Sequence, residues 1–158
     1  MTLPTYEVYA IKYAERATSS HGTFIFKDLH DAPMDMDYFV WAISGGGETY
    51  VVDLGFDRRY ERGSRHLLRT PAEGLDLLGV NPADVEDVIV THMHYDHAGS
   101  MPDFAQAKFH IQEDEMAFAT GRHLKHKAFR YGNFVEYTVD FVHAVYDDRV
   151  IFTNGEGE

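Results

Sequence analysis

"THMHYDHAGS" (Thr91–Ser100) packs three histidines and an aspartate into the six residues from His92 to His97. The spacing is H-x-H-x-D-H. Residues two apart on an extended backbone point to the same side, so His92 and His94 can converge on one ion. If the chain then turns, Asp96 and His97 can address a second position nearby. Imidazole nitrogen and carboxylate oxygen are donors that suit zinc, and nickel, iron or manganese can use them too. Random order of this composition produces the pattern roughly 0.004 times per chain, so accident is a poor explanation. The competing account is a set of solvated loop histidines, but burying four such polar groups without a metal would be costly. The stretch therefore reads as a metal site.

The flanking sequence places that site at a strand end. "VEDVIVTH" is a short buried strand that runs directly into the histidines. Before it, "TPAEGLDLLG" carries helix punctuation: Thr70 caps, Pro71 suits the first helical position, Glu73 completes a capping box and Gly79 fits the end. Further upstream, "MDYFVWAIS" and "ETYVVDLG" read as two strands joined by the glycines at 45–47, which supply positive φ. "TYEVYAIKYA" alternates as a first strand, and the stretch through "SSHGTFIFKDLHDAPMD" is loop-like. Asp57 to His66 is charged and reads as a surface connection. Downstream, "AKFHIQ" is a strand and "EDEMAFATG" a helix with acidic residues at its positive end. "GNFVEYTVDFVHAVYDD" has strand-like residues, but its length favours a helix. "RVIFTNGEGE" reads as a strand followed by a turn. The aromatic positions at 5–13 and 38–41 read as core strands.

Composition narrows the chemistry. The chain has 158 residues, the size of one domain with a real core. Its formal charge of −12 would repel phosphate backbones, so nucleic acid and anionic membrane surfaces are disfavoured as partners. Zero cysteines exclude disulfides and thiolate ligands from this chain. A cytoplasmic location is expected, because a reducing compartment suits such a chain and no signal-peptide pattern opens the sequence. "SGGG" lacks the lysine of a phosphate-binding loop. Ser44 and Ser100 have no identifiable base and orienting acid, which leaves a serine hydrolase unsupported.

"VIVTHMHYDHAGS" resembles the signature of the metallo-β-lactamase superfamily, in which a hydrophobic strand ends in T/S-H-x-H-x-D-H-x-G. "FVWAISGGGETYVVDLGF" is similar to that family's early hairpin with its V-D-x-G turn. Within the superfamily, "HMHYDHAGSMPDF" and "PAEGLDLLGVNPADVEDVIVTH" look most like the N-acyl-homoserine-lactone lactonases, the quorum-quenching lactone hydrolases. The resemblance implies an α+β, αββα fold. It implies that His92 and His94 ligate a first zinc and that Asp96 and His97 ligate a second. A hydroxide between the two ions would attack the lactone carbonyl, because zinc lowers the pKa of water from about 15.7 toward roughly 7. Asp96 would orient that hydroxide or accept its proton. Asp53 in "VVDLG" matches the family's aspartate near the metals, and an ordinary turn aspartate before a glycine explains it equally well. Thr91 would be a hydrogen-bonding neighbour.

The family takes its remaining ligands, a third histidine, a bridging aspartate and a last histidine, from contexts such as G-H-T-x-G after the motif. No such context occurs here, so residues 1–158 are expected to form a partial domain, the amino-terminal half of the fold. Seven histidines lie outside the motif. His110 is expected to be packed or exposed on its strand, and His123 and His126 to belong to a solvated basic patch. His143 is expected to be a partly buried helix residue, and His21, His30 and His66 to sit in polar loops. The leading expectation is thus a zinc-dependent hydrolase of small lactones or esters. The alternatives are a non-catalytic metal-binding half, a homo-oligomer pooling ligands across its interface, and a thioester or other ester hydrolase of the same superfamily.

Overall fold

The protein is described by a computed structural model that covers residues 3–26 and 29–154. A seven-stranded mixed sheet organises it, in the order β4 (Arg65–Leu67), β1 (Glu7–Arg16), β2 (Met36–Gly45), β3 (Glu48–Val52), β5 (Asp87–Ile89), β6 (Lys108–Gln112) and β7 (Val150–Thr153). Strands β1 (Glu7–Arg16), β2 (Met36–Gly45) and β3 (Glu48–Val52) form an antiparallel meander. Gly46 and Gly47, at φ +64° and +90°, make the β2–β3 turn a backbone that side chains rarely adopt. Strands β5 (Asp87–Ile89), β6 (Lys108–Gln112) and β7 (Val150–Thr153) then continue from β3 in parallel.

Parallel strands need crossovers; α-helices lie in two of the three, and the β5–β6 crossover is the irregular segment that carries the histidine motif. Helix α2 (Pro71–Asp76) precedes β5 and has the full capping box: Glu73 N–H donates to Thr70 Oγ1, and Glu73 Oε2 accepts from Thr70 N–H. Helices α3 (Glu113–Ala119) and α4 (Val135–Tyr146) lie between β6 and β7, so "GNFVEYTVDFVHAVYDD" is helical from Val135 to Tyr146, as its length favours. A short helix α1 (Ser20–Thr23) interrupts the loop after β1. No helix among the described residues is long and apolar enough to cross a membrane.

The core lies on one face of the sheet. Val40, Ala42, Val51, Val88, Phe109 and Ile111 point to it and are buried, with Tyr137, Phe141 and Ala144 of α4 among the side chains of the same core. Alternation along β2 sends the next side chains to the other face, where Phe39 and Trp41 are exposed, as are Val8 of β1 and Ile89 of β5. The expectation that the aromatic positions of these strands are all core is therefore corrected. Tyr13 and Tyr38 are buried, whereas Tyr6, Tyr9, Phe39 and Trp41 keep a third or more of their surface.

Other local readings change for similar reasons. Asp57 to His66 is more than a surface connection, because Tyr60 is buried within it and Arg65–Leu67 pairs with β1 as edge strand β4. His66 consequently stands in a strand rather than a loop. His143 is exposed rather than partly buried, since α4 turns Tyr137, Phe141 and Ala144 inward and leaves position 143 facing solvent. The turn read at the end of "RVIFTNGEGE" falls mostly on residues 155–158, outside the described residues.

Candidate metal centre

Asp53 and the histidine motif meet at the carboxyl ends of neighbouring parallel strands, β3 and β5, where ligands gather in open sheets of this kind. Two irregular segments leave those strand ends and are laced together by backbone hydrogen bonds. Leu54 N–H donates to the His97 carbonyl at 2.8 Å, Gly99 N–H to that of Gly55 at 2.7 Å and Ser100 N–H to that of Leu54 at 3.3 Å. Gly99 allows this approach: a Cβ there would lie 2.5 Å from the Gly55 carbonyl oxygen and 2.7 Å from Phe56 Cα. Tyr13 Oη adds a hydrogen bond to the Asp96 carbonyl.

Asp53 is buried, with a left-handed backbone at φ +65°. Its Oδ1 accepts from Thr91 N–H at 2.8 Å and from the Thr91 hydroxyl at 2.9 Å, and its Oδ2 accepts from His97 Nδ1 at 2.7 Å. A carboxylate only accepts, so the Thr91 hydroxyl proton is committed to Asp53. The same hydroxyl oxygen lies 3.0 Å from His92 Nδ1 and is left to accept from it. One buried carboxylate thus fixes which nitrogen of two imidazoles carries hydrogen, and it leaves both Nε2 atoms as the donors available to an ion.

The three imidazoles form one group. The His92 and His97 ring centroids are 4.0 Å apart and those of His92 and His94 4.6 Å. His97 Nε2 faces Asp96 Oδ2 at 3.5 Å. The sequence-derived residues His92, His94, Asp96, His97, Asp53 and Thr91 are therefore brought to one place. Among the described residues no three His, Asp or Glu side chains converge on a single point as a finished ligand set. A division of two side chains to each of two ions does not require one.

Electrostatics favours positive charge at this spot. Burial alone would lower the pKa of His97, but hydrogen bonds to Asp53 and Asp96 outweigh it and raise the value to about 9. Burial pushes the Asp96 carboxyl up, yet the bond to His97 and its charge hold it below the usual carboxylate value. His92 is lowered, by burial first and then by the charges of His97 and His94. Asp53 and Asp96 thus hold a proton on His97 beside a cluster of nitrogen donors. A metal cation fits that donor set, since it can take the place of the proton between His97 Nε2 and Asp96.

Four histidines outside the motif have other neighbours. His110 Nε2 pairs with Asp87 Oδ1 at 2.6 Å, and His66 lies 3.6 Å from Glu61. His123 and His126 are exposed, with their rings against Phe118 and Phe129. Two residues that reach the motif were not legible in the sequence. Glu115 of α3 accepts a hydrogen bond from Met93 N–H, and Gly132 lies against the ring of His94. Glu115 looked like any acidic residue in a first helical turn, and nothing in the sequence ties position 132 to position 94.

The sequence pattern of the metallo-beta-lactamase superfamily matches residues 36–150, which takes in the hairpin, Asp53 and the whole histidine motif. The chain belongs to the metallo-β-lactamase superfamily. The N-acyl homoserine lactonase AiiB of Agrobacterium fabrum is 41% identical over 56 residues, covering 32% of this chain and 20% of that protein. A probable metallo-hydrolase of Methanocaldococcus jannaschii is 41% identical over 46 residues, covering 29% and 23%. Among solved structures, the dizinc quorum-quenching lactonase AidC, in complex with a product, superposes with a TM-score of 0.71 at 14% identity, over 100% of this chain and 61% of that one. A mutant of B. thuringiensis AiiA, with N-decanoyl-L-homoserine bound at its active site, gives 0.66 at 16%, over 100% and 62%. At such identities the structural likeness speaks for the fold, and the αββα expectation is met in the part the chain spans. The chain spans about 60% of the length of these solved structures and a smaller share of the curated relatives.

Proposed function

We propose that this chain carries the metal-binding motif of a zinc-dependent hydrolase that opens lactones of the N-acyl-homoserine type. The observation that carries the reading is the Asp53 carboxylate, which orients His97 directly and His92 through Thr91 and so turns their Nε2 atoms, rather than Nδ1, toward an ion, which would displace the proton His97 shares with Asp96. His92 and His94 would hold one zinc and Asp96 with His97 a second. When bound, the ions supply Lewis acidity, polarising the ester carbonyl and making water acidic enough to react near neutral pH.

The chain's own residues prepare that chemistry. Asp53 and Thr91 set the tautomers of His97 and His92. Asp96 is ionised at neutral pH, and its carboxylate is an acceptor that can orient a water molecule or take its proton. The lactonase relatives support an ester ring as substrate, and the −12 charge disfavours nucleic-acid phosphodiesters.

The test is hydrolysis of a panel of N-acyl homoserine lactones and acyl thioesters by the protein as its gene encodes it, with and without chelator. Lactone opening that is lost in chelator and restored by zinc is the expected result. Preference for thioesters would move the substrate within the superfamily, and turnover indifferent to chelator would overturn the metal reading.

A further inference from the structure

His94 differs from its neighbours in what orients it. The Nδ1 atoms of His92 and His97 are hydrogen-bonded, through Thr91 and to Asp53. Among the described residues, the His94 ring has no hydrogen-bond partner; its one ring-to-ring contact is the edge contact with His92. Exposed on its loop, the ring would be free to change rotamer unless something else held it.

Two elements outside the motif converge on this residue. On one side of it in the chain, Met93 N–H donates to Glu115 Oε2 of α3 at 3.0 Å. On the other, Tyr95 N–H donates to the Gly132 carbonyl at 2.8 Å. The backbone on either side of His94 is thereby tied to two different segments. Gly132 also lies against the imidazole: a Cβ on it would fall 2.5 Å from His94 Cδ2, 2.6 Å from Nε2 and 2.9 Å from Cγ. No φ restriction demands glycine there; the close approach does. The Gly132 segment is itself anchored, because Phe134 packs edge-on against Tyr60 at 4.8 Å and Tyr137 Oη donates to Asp57.

We propose that Gly132 and Glu115 are positioning residues that fix His94, the one imidazole of the motif with no polar partner for its ring, in the orientation a metal ligand needs. The proposal rests on the metal reading above for the purpose of His94, but the brace itself can be read without metal. Gly132→Ala forces the ring aside. Glu115→Ala frees the Met93 amide, and Glu115→Gln keeps an acceptor oxygen at the same place.

The experiment uses the full chain, first in chelator and then titrated with Co2+. In chelator, the imidazole resonances of His94 and His97 are followed by NMR, with His97 reporting whether the Asp53 side of the site is still folded. Gly132→Ala and Glu115→Ala are expected to shift or broaden the His94 ring signals while His97 stays put, and Glu115→Gln to restore them. In the Co2+ titration, followed by visible absorption, both damaging variants are expected to bind on the order of 10-fold more weakly, the range typical of groups that orient ligands. Unmoved His94 signals with wild-type Co2+ affinity in both variants would overturn the brace. A wild-type chain that binds no Co2+ would defeat the metal reading, and the ring signals in chelator would still decide for or against the brace.

Discussion

His97 Nδ1 and Asp53 Oδ2 are 2.7 Å apart, although the two residues belong to different strand ends and are separated by 44 positions. The contact joins the V-D-L-G turn to the histidine motif and makes the turn aspartate part of the candidate site. Asp53→Asn tests this cleanly, because asparagine tolerates the left-handed backbone that Asp53 adopts. The variant is expected to fold with an unchanged circular dichroism spectrum and to bind zinc about 10- to 100-fold more weakly by calorimetry. Wild-type affinity in the variant would reduce Asp53 to an ordinary turn residue.

The same pair sets a pH dependence in the metal-free protein. The folded-state pKa of His97, about 9, exceeds the ordinary 6.5, so folding favours the protonated imidazole. Its contribution is fully present below pH 6.5 and is lost as pH rises through about 9. Denaturation midpoints in chelator should therefore fall between pH 6.5 and 9.5, and Asp53→Asn should flatten that fall. A wild-type midpoint that holds or rises across this window contradicts the His97 environment described above.

Gly99 is where the two strand-end segments touch backbone to backbone. Gly99→Ala has no flexible side chain to push aside, since its Cβ would meet the Gly55 carbonyl and Phe56 Cα. A loss of about 1–3 kcal/mol in unfolding free energy is expected, typical of overpacking, together with weakened metal binding as His97 shifts with its carbonyl. An unchanged denaturation midpoint would show that the approach is looser than this.

Thr70 offers a contrast remote from the chemistry. Thr70→Ala removes the hydroxyl that accepts from Glu73 N–H and breaks the capping box of α2. The expected cost is about 1 kcal/mol of stability, read by urea denaturation, with zinc affinity unchanged. A change in zinc affinity would mean that α2 communicates with the site.

Local patterns carried much of this structure into the sequence. The capping box at 70–73, the glycine turn at 45–47 and the strand running into His92 are each set by neighbouring residues, and each is found where its pattern lies. What was hidden depends on partners far along the chain. Strand β4 exists because Arg65–Leu67 finds the edge of β1, and its three residues carry no alternation long enough to read. Tyr9 and Trp41 have the residue types of core strand positions but stand on the uncovered face, and strand residues do not disclose which sheet face is covered. At the site, the motif announced itself through residue type and spacing. Asp53 fits either role by sequence, and the contact of its carboxylate with His97 decides between them, while Glu115 and Gly132 reach the motif through contacts with its backbone and one ring.

The most direct measurement is the metal content of protein purified without chelator, set beside a variant with His92, His94, Asp96 and His97 all replaced by alanine. Elemental analysis is expected to find zinc in the wild-type chain and none in the variant. Zinc absent from both, or retained in the variant, would contradict the assignment of these four residues as metal ligands.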